Sequence, residues 1–220
     1  MRPAHQLPFA ALLLVVLLLA GSLLLARDRA TWVLEVFPIL LGLPLLVLTY
    51  RRFPLTSLVY GLLVLHSLIL CVGGIYTYAE VPLGFWMQDW FGFARNHYDR
   101  IGHFAQGFIP ALLVREILLR TSPLRPGKWL FFLVSCVCLA ISAGYEFIEW
   151  GAAVVQGASA EAFLGTQGDP WDAHWDMLFC LIGALTSQLL LARLHDRAIQ
   201  ALVPAVWREK LGGFGFGLEG

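Results

Sequence analysis

Residues 168–178 read GDPWDAHWDML, and four ionisable groups, Asp169, Asp172, His174 and Asp176, lead there directly into a long apolar run. Acidic side chains at the mouth of a membrane span are rare unless they face a polar interior, pair with a cation or bind an ion, so the stretch is a candidate functional site by placement alone. Two other stretches have the same character. Residues 99–103 (DRIGH) precede one apolar run, and residues 145–150 (YEFIEW) lie towards the end of another.

Composition places the whole chain in a bilayer. Of its 220 residues 59% are hydrophobic and 14% charged, and the mean hydropathy is +0.73, outside the range of a soluble domain of this size. The formal net charge is zero, which argues against nucleic acid or an acidic soluble partner as the main ligand, since either calls for a basic excess. The four cysteines (Cys71, Cys136, Cys138 and Cys180) fall inside apolar runs, where cysteine packs as a small hydrophobe and forms neither a disulfide framework nor a metal pattern.

A hydrocarbon core of about 30 Å takes about 20 apolar helical residues to cross. Six stretches meet that length: residues 9–26, 31–50, 55–77, 101–119, 129–152 and 174–194. The sequence therefore predicts an all-α, polytopic membrane protein of six transmembrane helices, residues 1–220 forming one integral-membrane domain with residues 195–220 as a cytoplasmic tail. The first run is too long for a secretion signal and reads as an uncleaved span. Between spans three and four, residues 81–93 (VPLGFWMQDWFGF) are aromatic, interrupted by glycine and too polar to cross, so an interfacial segment is expected, anchored by Trp86 and Trp90.

Lys and Arg concentrate in cytoplasmic loops. Arg2, Arg51, Arg52, Arg120, Arg125, Lys128, Arg193, Arg197, Arg208 and Lys210 all fall on one side of a six-span chain, and residues 153–173 contain no Lys or Arg. Arg27 and Arg29 are the exception. Both termini are thus expected in the cytoplasm, which brings residues 99–103, 146–150 and 172–176 to the same outer depth.

Within each stretch the spacing is helical. Asp99 and His103 are i, i+4, Glu146 and Glu149 are i, i+3, and Asp172 and Asp176 are i, i+4, so each pair shares a helix face. His174 lies roughly 200° around the helix from Asp172 and points elsewhere. Six carboxylates near one depth do not all stay ionised and unpaired, because like charges and desolvation both disfavour ionisation. A divalent cation, the guanidiniums of Arg95 and Arg100, or protons are the available compensations.

Two resemblances bear on these residues. YDRIGHFAQGF (98–108), the Arg115–Glu116 pair, GYEFIEW (144–150), GDPWDAHWDM (168–177) and the Gly183–Ala184 pair resemble the YjdF-type family of bacterial inner-membrane proteins. That resemblance implies a polytopic helical protein of the bacterial inner membrane and brings no catalytic assignment. The order Asp99/His103, Glu146, Asp172/Asp176 is more loosely similar to VanZ-like membrane proteins, from which Glu149, Trp171 and Trp175 depart.

Three functional readings stand at this point. In the first, a metal-dependent enzyme acts on an envelope or lipid substrate: His103, Glu146, Asp172 and Asp176 hold zinc, manganese or magnesium, and Glu149 or Asp99 is the general base. In the second, the same groups couple protons or cations to transport of a small solute, along a path past His66 or Gln106. In the third, the polar groups only fix helix packing in an accessory protein. Glu35 is expected to face lipid headgroups, and Arg115, Glu116 and Arg120 to form a local ion pair near the inner end of span four.

Overall fold

The computed structural model describes residues 6–156 and 166–204, and every regular element among them is helical. We number the helices α1 (Gln6–Leu25), α2 (Arg29–Glu35), α3 (Phe37–Thr49), α4 (Ser57–Tyr76), α5 (Pro82–Phe91), α6 (Tyr98–Thr121), α7 (Lys128–Gln156) and α8 (Asp172–Leu202), with a short 3-10 turn over Tyr78–Glu80 before α5.

Four of these helices, α1, α4, α7 and α8, are long and apolar enough to cross a membrane, and α2 and α3 make a fifth if the bent pair counts as one span. Their outward surfaces carry large apolar side chains such as Leu17, Leu48, Phe147 and Leu189, an area no soluble protein leaves to water. The expected span at residues 101–119 does not pass on composition. The reason is physical: α6 carries Asp99, Arg100, His103, Gln106, Arg115 and Glu116, and it is enclosed by α4, α7 and α8. Thirteen of its 24 residues are buried. A helix whose neighbours satisfy its polar groups does not need an apolar surface of its own.

α6 and α8 run parallel and cross closely. At the crossing neither helix has a side chain: a Cβ on Gly107 would collide with the Cys180 carbonyl, and one on Gly183 with the Phe104 carbonyl. Small residues at a crossing let backbones approach and replace the hydrophobic drive that lipid does not supply. Gly183 of α8 thus packs directly on the backbone of α6.

The break between α2 and α3 has a local cause. Pro38 has no N–H, so the Leu34 carbonyl, which its amide would otherwise engage, is left free, and the helix bends by 52° there. That carbonyl accepts from the Tyr145 hydroxyl at 3.1 Å. At the start of α2, Asp28 caps the helix by accepting from the Thr31 amide at 2.6 Å, and the Trp32 indole donates to Ser22 at 3.0 Å, tying α2 to α1.

The segment after α4 is a ten-residue helix, α5, that ends at Gly92 with φ 68°. It exposes Phe85, Trp86, Trp90 and Phe91. At the other end of the chain α8 continues to Leu202, beyond the expected span end at 194, and His195 and Ile199 on that extension are fully buried. The glycine-rich residues 212–220 lie outside the described residues.

Because the α6–α8 approach is limited by backbone, Gly107→Leu should destabilise the detergent-solubilised protein by about 1–3 kcal/mol or more, read as a fall in melting temperature. Gly144→Leu, at a glycine with open space around it, should leave melting nearly unchanged.

Candidate functional site

At one end of the bundle the N-terminal turns of α6 and α8 meet the C-terminal half of α7. Each contributes the pair of side chains that its spacing puts on one face. Asp99 and His103 come from α6, Glu146 and Glu149 from α7, and Asp172 and Asp176 from α8.

The acids of α8 are held first by arginine. Arg100, 6% exposed, donates to Asp172 Oδ1 at 2.8 Å, to the Asp172 carbonyl at 3.3 Å and to Asp176 Oδ1. Arg95 donates to the same Asp172 Oδ1 at 2.8 Å and to the Thr166 carbonyl at 2.8 Å, and lies 3.4 Å from Asp169. Beside it Asn96 and Gln167 bond reciprocally through side chain and backbone, at 3.0 and 2.8 Å. The loop before α6 and the loop before α8 are therefore clamped together above the site. Asp169 turns back to accept from the Trp171 amide at 2.9 Å, starting the turn into α8.

Below the arginines sits His103. Its Nδ1 faces Gln106 Oε1 at 3.0 Å; in the tautomer that donates to this oxygen, Nε2 presents a lone pair. That Nε2 faces Asp99 Oδ1 at 3.5 Å, Asp176 Oδ1 at 3.9 Å and Glu146 Oε1 at 4.0 Å. Four acceptors around one point repel one another unless a proton or a metal ion lies between them. Ligand atoms of Asp99, His103 and Asp176 all fall within 4.8 Å of one another. A tetrahedral ion with ligands at about 2.0–2.1 Å holds them about 3.3–3.4 Å apart, so small inward rotations close the site. Buried Glu146 Oε1 has no hydrogen-bond partner.

The sequence-expected residues are thus brought together, but not all in one role. Asp172 is turned to the two arginines and away from His103. Asp99, expected as a base, stands among the candidate ligands. Glu149 lies apart, on the wall of a neighbouring cavity, and His174 is exposed, its ring edge-on to Trp171 at 5.2 Å.

That cavity measures about 330 Å³ and lies between α2, α3, α4, α6 and α7. Asp99, His103 and Gln106 reach it from the cluster, Glu149 lines it from α7, and His66 reaches it from α4. Its remaining wall is apolar, including Phe37, Leu41 and Ile148. Glu35 also lines it, 3% exposed, with Oε1 unpartnered. The expectation that Glu35 faces headgroups is therefore corrected: the bend at Val36 turns its carboxylate inward.

At the opposite end lies a second polar network that sequence reasoning reduces to a local ion pair. Glu116, with no exposure, accepts from the Thr56 amide and hydroxyl at 3.0 and 2.8 Å, from Arg120 at 2.7 Å and from His195 Nε2 at 3.0 Å. His195 Nδ1 lies 3.3 Å from Arg115, which also donates to Asp196 at 2.6 Å. Every donor and acceptor named in this network has a partner, as buried structural polar groups do. The cluster around His103 does not, Glu146 Oε1 being unpartnered, and that difference makes it the candidate site.

Lipid-facing helices around an enclosed polar helix, with an incompletely satisfied ionisable cluster between helix ends, define an integral membrane protein rather than a membrane-attached one. The chain belongs to the family described as "Predicted membrane protein (DUF2238)", which matches residues 7–197. It is 54% identical over 175 residues, 80% of this chain and 84% of the relative, to the inner membrane protein YjdF of Escherichia coli (strain K12). No solved structure matches it.

Arg100→Gln strands Asp176 and leaves Asp172 to Arg95 alone, and breaking a buried pair from one side costs about 3–5 kcal/mol. It should lower the melting temperature sharply. Arg27→Gln, which breaks an exposed pair with Glu80, should cost under about 1 kcal/mol.

Proposed function

We propose that the protein crosses the inner membrane six times, with α6 as the enclosed span and both termini in the cytoplasm, and that its outward-facing cluster binds a divalent cation in the service of a reaction on an envelope or lipid substrate. At about 1.5 Å per residue the 24 residues of α6 reach about 36 Å, enough to cross. The loop charges support the orientation, and the exposed tryptophans of α5 support its lying in the outer interface.

The observation that carries the reading is Nε2 of His103 facing oxygens of three carboxylates from three helices. Asp99, His103 and Asp176 would hold the ion, with Glu146 adjoining. An imidazole with carboxylates suits zinc or manganese better than magnesium. Asp172 acts here as an anchor for Arg95 and Arg100, which fixes Asp176 and limits the charge the ion must offset. Bound metal in such a site supplies Lewis acidity and an acidified water. Glu149, on the cavity wall and outside the ligand group, is placed to engage a substrate in the cavity. A second reading, cation- or proton-coupled transport, draws support from His66, whose buried Nε2 has no partner and which lines the same cavity.

Metal analysis of protein purified without chelator tests the proposal. About one zinc or manganese per chain is expected, lost in His103→Ala and Asp176→Asn and retained in His174→Ala. Protein free of metal, or metal equal in all three variants, contradicts it. Proton or cation flux in liposomes that depends on His66 would favour the transport reading instead.

A further inference from the structure

The cavity beside the cluster has a chemistry that the metal reading does not use. Glu35 and Glu149 line it, as do Tyr78 and Tyr145. Glu35 is almost wholly removed from solvent, and its Oε1 has no hydrogen-bond partner. Among the described residues no arginine or lysine lines the cavity. Arg95 and Arg100 are committed to the acids of α8. A buried carboxylate left without a cation is costly, and the outstanding need is for a positive charge or a proton.

Carboxylates beside aromatic faces are the chemistry by which proteins recognise an ammonium group. The carboxylates supply charge-assisted acceptors. The ring faces supply their quadrupoles, and Tyr145 is held in place by its bond to the Leu34 carbonyl. Metal ions are served less well here, because Glu35 and Glu149 are not among the ligand atoms that gather around His103.

The other wall says where the ligand comes from. Phe37, Leu41, Ile141 and Ile148 line the cavity and are themselves 40–54% exposed on the outside of the bundle. The opening is thus set among residues that face hydrocarbon, between α3 and α7, and not on an aqueous end. A soluble amine would have to cross lipid to enter there, whereas a lipid enters headgroup first with its chains left alongside Leu41 and Ile148.

We propose that this cavity binds a membrane lipid whose headgroup carries an ammonium, with the ammonium at Glu35 and Glu149 between the two tyrosine rings and the acyl chains in the α3–α7 opening. The inference rests on the reading of this cavity as the substrate site, and it names the substrate class. An ammonium placed there leaves the rest of the headgroup towards Asp99 and His103, where the proposed ion lies.

Native mass spectrometry of delipidated full-length protein, titrated with phosphatidylethanolamine and with phosphatidylglycerol of the same chains, tests it. Saturable binding of one phosphatidylethanolamine per chain is expected, with phosphatidylglycerol bound at least about tenfold more weakly, as is phosphatidylethanolamine to Glu35→Gln and Glu149→Gln. Leu41→Trp, which fills the opening without touching a charge, should weaken it comparably and serves if Glu35→Gln does not fold. Equal binding of the two lipids, or binding indifferent to Glu35, Glu149 and Leu41, overturns the proposal. Metal content read on the same samples separates the two claims. Glu35→Gln should keep its metal while losing the lipid, and His103→Ala should lose its metal and still prefer the ammonium lipid.

Discussion

Arg100 places a guanidinium in the first turn of α6, and it bonds two aspartates one turn apart on α8. In a medium of low dielectric, charges separated from their partners are far more costly than in water, so this contact fixes which helix ends can be neighbours. The Gly107 and Gly183 crossing then sets how closely the two helices approach. Together they leave α6 and α8 parallel with both N-termini at the site, where the positive ends of the helix dipoles face Asp99 and Asp172 in the first turns. α7 closes the triangle with Glu146, so that Asp99, Glu146 and the Arg100-bound Asp176 surround His103.

Two polar networks, one at each end of α6, have different characters. Around Glu116 the donors and acceptors match, and the result ties α4, α6 and α8 together through Thr56, Arg120 and His195. Around His103 and Glu35 the acceptors exceed the donors, and buried oxygens of Glu35 and Glu146 stand unpartnered. A fold keeps unmatched buried charge where a ligand completes it. That asymmetry, more than the presence of acids in a membrane, distinguishes the candidate site from the network at the other end.

Much of the site is legible in the sequence. Spacing pairs Asp99 with His103, Glu146 with Glu149 and Asp172 with Asp176, and loop charge brings the three pairs to one depth. What is not legible depends on partners far apart in the chain. Asp172 looks like a ligand, yet Arg95 and Arg100, over seventy residues away, occupy it. His195 looks like the start of a tail, yet it pairs with Glu116, 79 residues earlier. Glu35 reads as a headgroup contact because periodicity does not reveal which way Pro38 bends the chain. The polar groups of α6 are explained only by its enclosure between α4, α7 and α8, which hydropathy does not register.

The ends of α6 and α8 are joined through charge inside the protein, and the site depends on that junction. A double-mutant cycle between Arg100→Gln and Asp176→Asn, measured by unfolding in chelator so that no metal contributes, tests it most directly. Joined ends predict a coupling energy above about 1 kcal/mol between the two sites. Additivity within about 0.3–0.5 kcal/mol, the behaviour of residues that do not touch, would contradict the arrangement and the site built on it.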